Sequence, residues 1–122
     1  MINKDILRQA LKMIEDNPLH WDQSYLHCGT SHCFFGMVDL IELKLPFNTG
    51  AKEVQADAIK KNVSLPRHET GLSNDLFEYM SYWENTLDDL RFYVKVVTSN
   101  LPMFLINFIC YIKRQFIIRR RK

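Results

Sequence analysis

Apolar side chains recur at the three- and four-residue spacing of a helix along much of the chain. Over residues 3–16 the apolar positions form one stripe, with Asn3 placed to cap a helix and Asn17-Pro18 placed to end it. The stripe consists of Ile6, Leu7, Ala10, Leu11 and Ile14. The pattern therefore predicts a first, amphipathic helix.

The next two predicted helices are less regular. One begins at Thr30, whose hydroxyl is placed to accept the backbone N–H of His32 or Cys33. The other covers residues 51–62 and is weaker, because few of its positions are apolar. The first of these two helices would place Cys33 in its opening turn.

Two further helices have clear start signals. Ser73 precedes one of them, and Thr86 with Asp89 three residues later has the spacing of a capping box. No sustained strand alternation and no Asn-Gly or Asp-Gly hairpin accompanies these patterns. We therefore predict an all-α fold, a compact bundle of about five short helices over residues 1–100.

Composition is that of a soluble globular protein, while charge divides the chain. Of the 122 residues, 47% are hydrophobic and 25% are charged. Residues 1–89 hold 8 Lys/Arg and all 14 Asp/Glu, whereas residues 90–122 hold 8 Lys/Arg and no acid. We therefore predict that residues 101–122 form a hydrophobic and basic extension with a partner of its own.

The start of the chain and its cysteines point to a reducing compartment. Arg8 and Lys12 interrupt the first apolar stretch, unlike the apolar core of a signal peptide. We therefore expect a cytoplasmic protein, in which the three cysteines are reduced thiols. They are Cys28, Cys33 and Cys110.

The segment LHCGTSHCFFG, residues 26–36, has three interpretations, of which the first is structural. Gly29 provides a tight turn, Thr30 caps the helix, and Cys33 packs in the core as a small apolar side chain. Gly36 then allows another helix or Trp21 to approach closely. In this interpretation the thiols have no chemical role.

The second interpretation of this segment is a zinc site. His27, Cys28, His32 and Cys33 supply imidazole and thiolate, which are the groups that zinc prefers. Cys28 and His32 lie four residues apart, but the Cys-x2-Cys spacing of structural zinc sites is absent. We expect no cofactor, and zinc is the alternative.

The third interpretation is a reactive cysteine. In the first turn of a helix, the thiolate of Cys33 would be stabilised by unpaired backbone N–H groups, which lower a cysteine pKa. His20, His32 or His68 would then be the candidate base. Because no further catalytic constellation is present, binding is the favoured expectation over catalysis.

Aromatic residues form a second group of interest. Trp21, Tyr79, Tyr82 and Trp83 are either core residues or a surface for a partner, since Tyr and Trp are favoured at protein interfaces. Basic residues do not alternate with them, which disfavours a platform for nucleic acid. We take these four residues as a candidate interaction surface.

The end of the chain combines apolar and basic residues. The run LPMFLINFICYI, residues 101–112, is too short to cross a bilayer as a helix. We predict that residues 101–118 pack on the body, on a protein partner or on a second copy of the chain. A weaker attraction to membrane or nucleic acid, which would make the protein peripheral to a membrane, is predicted from the basic residues. These are Lys113, Arg114, Arg119, Arg120, Arg121 and Lys122.

Two motifs together resemble a family of small bacterial and phage proteins. These proteins carry an Asn-Pro…Trp run, then Cys-Gly-Thr-x-x-Cys-x-x-Gly, then a Leu-Phe…Asn-Thr-Leu-Asp-Asp-Leu segment. The matching positions are Asn17, Pro18, Trp21, Cys28, Gly29, Thr30, Cys33 and Gly36, followed by Leu76, Phe77, Asn85, Thr86, Leu87, Asp88, Asp89 and Leu90. The resemblance implies an all-helical shape and no particular activity. We therefore expect a small, phage-like accessory protein that binds a macromolecular partner.

Overall fold

The computed structural model describes residues 2–24, 26–63 and 70–120. This part of the chain is mostly helical, as predicted. It contains six α-helices, five of them within residues 1–100 and the sixth in the C-terminal extension. A short 3-10 helix and a small hairpin, which were not predicted, are also present. The helices are α1 (Lys4–Asp16), α2 (Phe34–Leu43), α3 (Ala51–Lys60), α4 (Asn74–Ser81), α5 (Leu87–Val97) and α6 (Met103–Arg120). The 3-10 helix is Pro18–His20, and the strands are β1 (His27–Cys28) and β2 (Ser31–His32).

The core is built around α2. Nearly every side chain of this helix is buried, because α1 packs along it and α3, α4 and β2 also contact it. Helix α5 packs on α1, and α6 packs on α4 and α5. Since α2 follows the hairpin directly, segment 26–36 contains both the hairpin and the first residues of this central helix.

Three of the predicted helix starts are confirmed. The side chain of Asn3 accepts the backbone N–H of Ile6, and the side chain of Ser73 accepts that of Leu76. At the start of α5, Thr86 and Asp89 form both hydrogen bonds of a capping box. These caps each join residues three apart in sequence, which is why local pattern alone could locate them.

The predicted start of the second helix at Thr30 is wrong. Helix α2 begins at Phe34, and Cys33 is its N-cap residue. Gly29 and Thr30 instead form the two-residue turn of the β1–β2 hairpin, in which Gly29 has a φ of +60°. Positive φ at the first turn residue alone is the pattern of a type II′ turn, which favours glycine there. The Gly29-Thr30 pair is therefore the sequence signal for this turn, and the prediction of a helix start did not use it.

Gln23 supplies the cap that was assigned to Thr30. Its Oε1 accepts the backbone N–H of Phe34 at 3.2 Å, at the start of α2. Its Nε2 donates to the backbone carbonyl oxygens of Met80 at 2.8 Å and Tyr82 at 3.2 Å, at the end of α4. One buried amide side chain therefore satisfies backbone groups at two helix ends.

A chain segment approaches Gly36 closely, but it is the backbone just before β1 and not the helix or the Trp21 side chain that was predicted. A Cβ atom at position 36 would lie 2.1 Å from the carbonyl oxygen of Leu26. That oxygen accepts the backbone N–H of Cys33 at 3.3 Å. A side chain at position 36 would therefore displace the segment that leads into the hairpin.

The apolar segment after residue 100 forms α6 and packs on the body. Ile106, Cys110 and Ile117 are buried on its inner side, whereas Phe104 and Phe108 lie on the opposite, exposed side. No helix in the described ranges combines the length and apolar character needed to cross a bilayer. The segment is apolar on both sides, so packing on the body covers only half of it.

Replacing Thr86 with Ala should lower the free energy of unfolding by about 0.5–2 kcal/mol, because the N–H of Asp89 loses its acceptor. The matched change Thr30→Ala should cost less than about 0.5 kcal/mol, since Thr30 is an exposed turn residue. Urea unfolding of both variants measures the difference. Equal losses at the two positions would show that the start of α2 has been placed wrongly.

Candidate functional site

The hairpin places two histidines side by side. His27 and His32 are paired residues of β1 and β2, and their Nδ1 atoms are 2.5 Å apart. Nε2 of His27 lies 3.0 Å from Oδ2 of Asp39 on α2. Nε2 of His32 lies 2.9 Å from the carbonyl oxygen of Thr49, just before α3. A chain of hydrogen bonds thus connects a backbone carbonyl, two imidazole rings and a buried carboxyl group.

The ends of this chain determine where its protons lie. The Thr49 carbonyl can only accept, so Nε2 of His32 carries a hydrogen, and Nδ1 of neutral His32 accepts from Nδ1 of His27. Nε2 of His27 then faces the Asp39 carboxyl group. Burial, and after it the neighbouring His27 ring, lowers the pKa of His32 to about 4. The His32 ring is therefore neutral at pH 7.

Sequence reasoning missed Asp39, which lies 12 residues after its partner His27. Its signal was its position, since an acidic residue on the apolar face of a helix needs a buried partner. The pattern of the helix could show that Asp39 is buried. It could not show which basic or polar group would face it, because the hairpin that carries His27 was not predicted.

The four predicted zinc ligands are not brought together. His27 and His32 are adjacent, whereas Cys28 is exposed and Cys33 is buried at the start of α2. Within residues 2–24, 26–63 and 70–120, no three His, Cys, Asp or Glu side chains are grouped so that they could hold a metal ion. The zinc site stays a prediction, with two of its four members in contact.

Cys33 differs from the predicted reactive cysteine. Burial raises its pKa to about 11, although the backbone N–H groups of Gly36 and Phe35 act in the opposite direction. The prediction of a lowered pKa is therefore wrong, and the thiol is protonated at pH 7. Both ring nitrogens of His32 are engaged elsewhere, and His68 lies outside the described residues.

The structure divides the predicted aromatic surface. Tyr82 and Trp83 line a cleft of about 450 Å³ at the end of α4, and 53% of Trp83 is exposed. Tyr79 does not line the cleft itself, but its ring lies beneath a basic residue of α6 that does. Trp21 lies apart from them, with its Nε1 donating to Oε1 of Gln23 at 3.1 Å. Two of the four predicted residues therefore line the cleft, and Tyr79 lies next to it.

The basic residue at the mouth of this cleft is Arg114. Its guanidinium carbon lies 4.2 Å from the centre of the Tyr82 ring and 5.7 Å from that of Tyr79, within cation–π range. It donates one long hydrogen bond, of 3.5 Å, to the backbone carbonyl of Glu78. Among the described residues its Nε is buried without a hydrogen-bond partner. Apolar side chains beside it form the cleft floor, namely Cys33, Phe35 and Phe77.

Asp89 holds two other predicted tail cations against the body. Nζ of Lys113 lies 3.2 Å from Oδ1 of Asp89, and the Arg120 guanidinium binds both oxygens of the same carboxylate. Burial alone would raise the pKa of Asp89, but hydrogen bonds from Arg120, the Thr86 backbone and Lys113 together lower it to about 2. Asp89 is therefore charged at pH 7, and its charge is balanced locally.

Fewer cations than predicted are left for a membrane or nucleic acid. Lys113 and Arg120 are paired with Asp89, whereas Arg114 lies on tyrosine rings. The remaining predicted cations are Arg119, which is exposed, and Arg121 and Lys122, which lie outside the described residues. The predicted attraction to membrane or nucleic acid stays a prediction, and two of the four described tail cations, Lys113 and Arg120, are already paired within the chain.

Comparison of the chain with protein-family models, with curated proteins and with solved structures gives no match. The resemblance to small bacterial and phage proteins stays a prediction. The geometry of the cleft and of α6 is therefore the basis on which a function can be argued.

Stability should fall as the pH is lowered through the range where a free histidine titrates. The pKa of His32 is 6.5 ordinarily and about 4 in the folded chain, so the unfolded chain takes up the proton first. The stabilisation is complete above pH 6.5 and is lost as the pH falls towards 4. Between pH 7.5 and pH 5 we expect His32 to contribute a loss of roughly 2 kcal/mol.

Urea unfolding at these two pH values measures the loss in the free energy of unfolding. His32→Gln should reduce the pH-dependent loss in the free energy of unfolding by roughly 2 kcal/mol, because the titrating group is gone. Ser31→Ala, a change in the same strand without a titrating group, should keep the wild-type dependence. An unchanged dependence in His32→Gln would contradict the assignment of a neutral, buried His32.

Proposed function

We propose that the protein binds a peptide segment of a partner protein in the cleft lined by Tyr82, Trp83 and Arg114. The observation that carries the proposal is the Arg114 guanidinium, which lines the cleft, lies over the Tyr82 ring and donates one long hydrogen bond of 3.5 Å. The proposed ligand has one carboxylate that pairs with Arg114 and an adjacent apolar side chain that enters the cleft.

The guanidinium of Arg114 suits a carboxylate in both charge and shape. Its planar donor groups match the two oxygens of a carboxylate, and such charge-assisted bonds are stronger than neutral ones. Stacking on Tyr82 restricts the side chain before the ligand arrives, so less conformational entropy is lost on binding. Glu78 also lines the cleft and would repel a run of acids, which favours a single carboxylate.

The cleft floor accounts for the apolar part of the ligand. Cys33, Phe35 and Phe77 present apolar groups there, in a volume of about 450 Å³. This volume lies within the range of sites that hold small ligands or one large side chain. Trp83 stands at the edge with about half of its surface exposed, and Trp is among the residues that most often dominate binding energy.

Binding rather than catalysis agrees with the chemistry of the residues nearby. The Cys33 thiol, with a pKa of about 11, is a poor nucleophile near pH 7. The His27–His32–Asp39 chain is occupied by its own hydrogen bonds and by Thr49, which supports a structural role in fixing the hairpin to α2. We include in the proposal the accessory, phage-like role that the resemblance implies.

Selection of a displayed random heptapeptide library on the purified protein tests this proposal. Enriched peptides should contain one Asp, Glu or terminal carboxylate beside a large apolar residue. Fluorescence polarisation with an enriched peptide should show binding at least about 10-fold weaker in Arg114→Gln, because a hydrogen bond between charged groups is lost. The peptide with Gln or Asn in place of its acid should lose a similar factor.

Arg119→Gln is the matched control, since it removes the same charge from an exposed position of the same helix. It should leave peptide affinity within about 2-fold, because exposed charges at a distance are largely screened. Equal losses of peptide affinity in the two variants would show that the effect comes from net charge and not from the position of Arg114. Enrichment of peptides that lack a carboxylate, or no enrichment over an Arg114→Gln sample, would overturn the proposal.

A further inference from the structure

One side of α6 leaves a continuous row of large apolar groups in solvent. We call this the outer face, and its side chains are between 39% and 70% exposed. Phe104, Phe108, Ile112 and Phe116 follow one another at intervals of four residues, and Tyr111 lies three residues after Phe108, so they share one side of the helix. The outer face consists of Phe104, Phe108, Tyr111, Ile112 and Phe116. It shares no residue with the cleft of the proposed function.

The area of the outer face matches what a stable dimer requires. A fully accessible aromatic side chain presents about 150–250 Å², so these residues expose roughly 500 Å² of apolar surface. A standard interface buries about 800 Å² on each partner, and up to about two thirds of it is apolar. An area of about 500 Å² is comparable to the largest apolar patch of a typical monomer, about 300–600 Å², and such a patch is often functional. The outer face therefore has about the apolar area of one complete interface.

The shape of the outer face is complementary to itself. A groove of about 350 Å³, lined by apolar atoms, lies between α5 and the second half of α6. Phe104, the most exposed residue of the outer face at 70%, projects from the first half of the same helix. An antiparallel pair of α6 helices with its two-fold axis near Phe108 puts each Phe104 over the partner groove. The groove residues are Phe92, Phe108, Ile109, Ile112, Lys113 and Phe116.

Charge favours this antiparallel arrangement and a protein occupant. Residues 90–122 contain no acid, so a parallel pair would bring two basic helix ends together, whereas an antiparallel pair separates them. Lys113, the cation in the groove, is already paired with Asp89. An anionic membrane would draw on free cations, and Lys113 and Arg120 are occupied within the chain.

We infer that the occupant of the outer face is a second copy of this chain, in a two-fold symmetric dimer formed by antiparallel α6 helices. Each subunit inserts Phe104 into the groove of the other subunit. This inference goes beyond the proposed function, which concerns another surface. In such a dimer the two Arg114 clefts remain open on the sides of α6 that face α4.

The oligomeric state of the purified full chain tests the inference. Sedimentation equilibrium between 1 and 100 µM should give a dimer for the wild type. Phe108→Glu should raise the dimer dissociation constant at least about 100-fold, because it places two charges at the centre of the interface. Circular dichroism and thermal melting should show that this variant stays folded, since residue 108 faces solvent in the monomer. If the Phe108→Glu variant is unfolded, the dimer dissociation constant of the Phe104→Gln variant is measured instead.

Ile59→Glu on α3 is the matched control, because Ile59 is a 79% exposed apolar residue away from α6. This variant should remain dimeric. A monomeric wild type at 100 µM, or equal dissociation of the Ile59→Glu and Phe108→Glu variants, would overturn the inference. So would a monomer that co-sediments with phosphatidylserine vesicles through Phe108, since the outer face would then bind membrane.

Discussion

The carboxylate of Asp89 joins two parts of the structure that are distant in sequence. It accepts the backbone N–H of Thr86 at 2.8 Å and so completes the capping box at the start of α5. It also binds Arg120, which lies 31 residues further along the chain, and Lys113 on the same helix. An unpaired carboxylate that is only 1% exposed would cost several kcal/mol. The last helix is therefore fixed to the point where α5 begins.

This attachment sets the rotation of α6, on which both proposed surfaces depend. With Lys113 and Arg120 directed to Asp89, the neighbouring Arg114 is carried to the tyrosines of α4. The same rotation turns Phe104 and Phe108 outward. A helix that is apolar on every side has no preferred inner face from hydrophobicity alone. The ion pairs with one buried carboxylate supply the missing preference.

Local rules in the sequence located the helices whose caps are local. Ser73 and Thr86 bond to backbone groups three residues away, so spacing was sufficient to predict them. The start of α2 was misplaced because its first N–H is bound by Gln23, 11 residues earlier, while Thr30 turns a hairpin. The periodicity of apolar side chains gives no information about a cap that is supplied by a residue so distant in sequence.

The candidate site was predictable in its residue types and not in its contacts. Aromatic composition singled out Tyr82 and Trp83, and the basic tail included Arg114. Nothing in the spacing relates position 114 to position 82, because their contact depends on how α6 packs. The same holds for His27 and Asp39, whose pairing needs the hairpin. Tertiary packing decided each of these pairs.

The coupling between Asp89 and Arg120 tests the account most directly. The four proteins of a double-mutant cycle are the wild type, Asp89→Asn, Arg120→Gln and the double variant, each unfolded in urea at pH 7. Asn at position 89 retains an oxygen that can accept the Thr86 N–H, so the cap is kept while the charge is removed. We predict that the two losses in the free energy of unfolding are non-additive by about 1–3 kcal/mol, since the second change has no ion pair left to break. Losses that add to within about 0.5 kcal/mol would contradict the claim that Asp89 fixes α6 to the body.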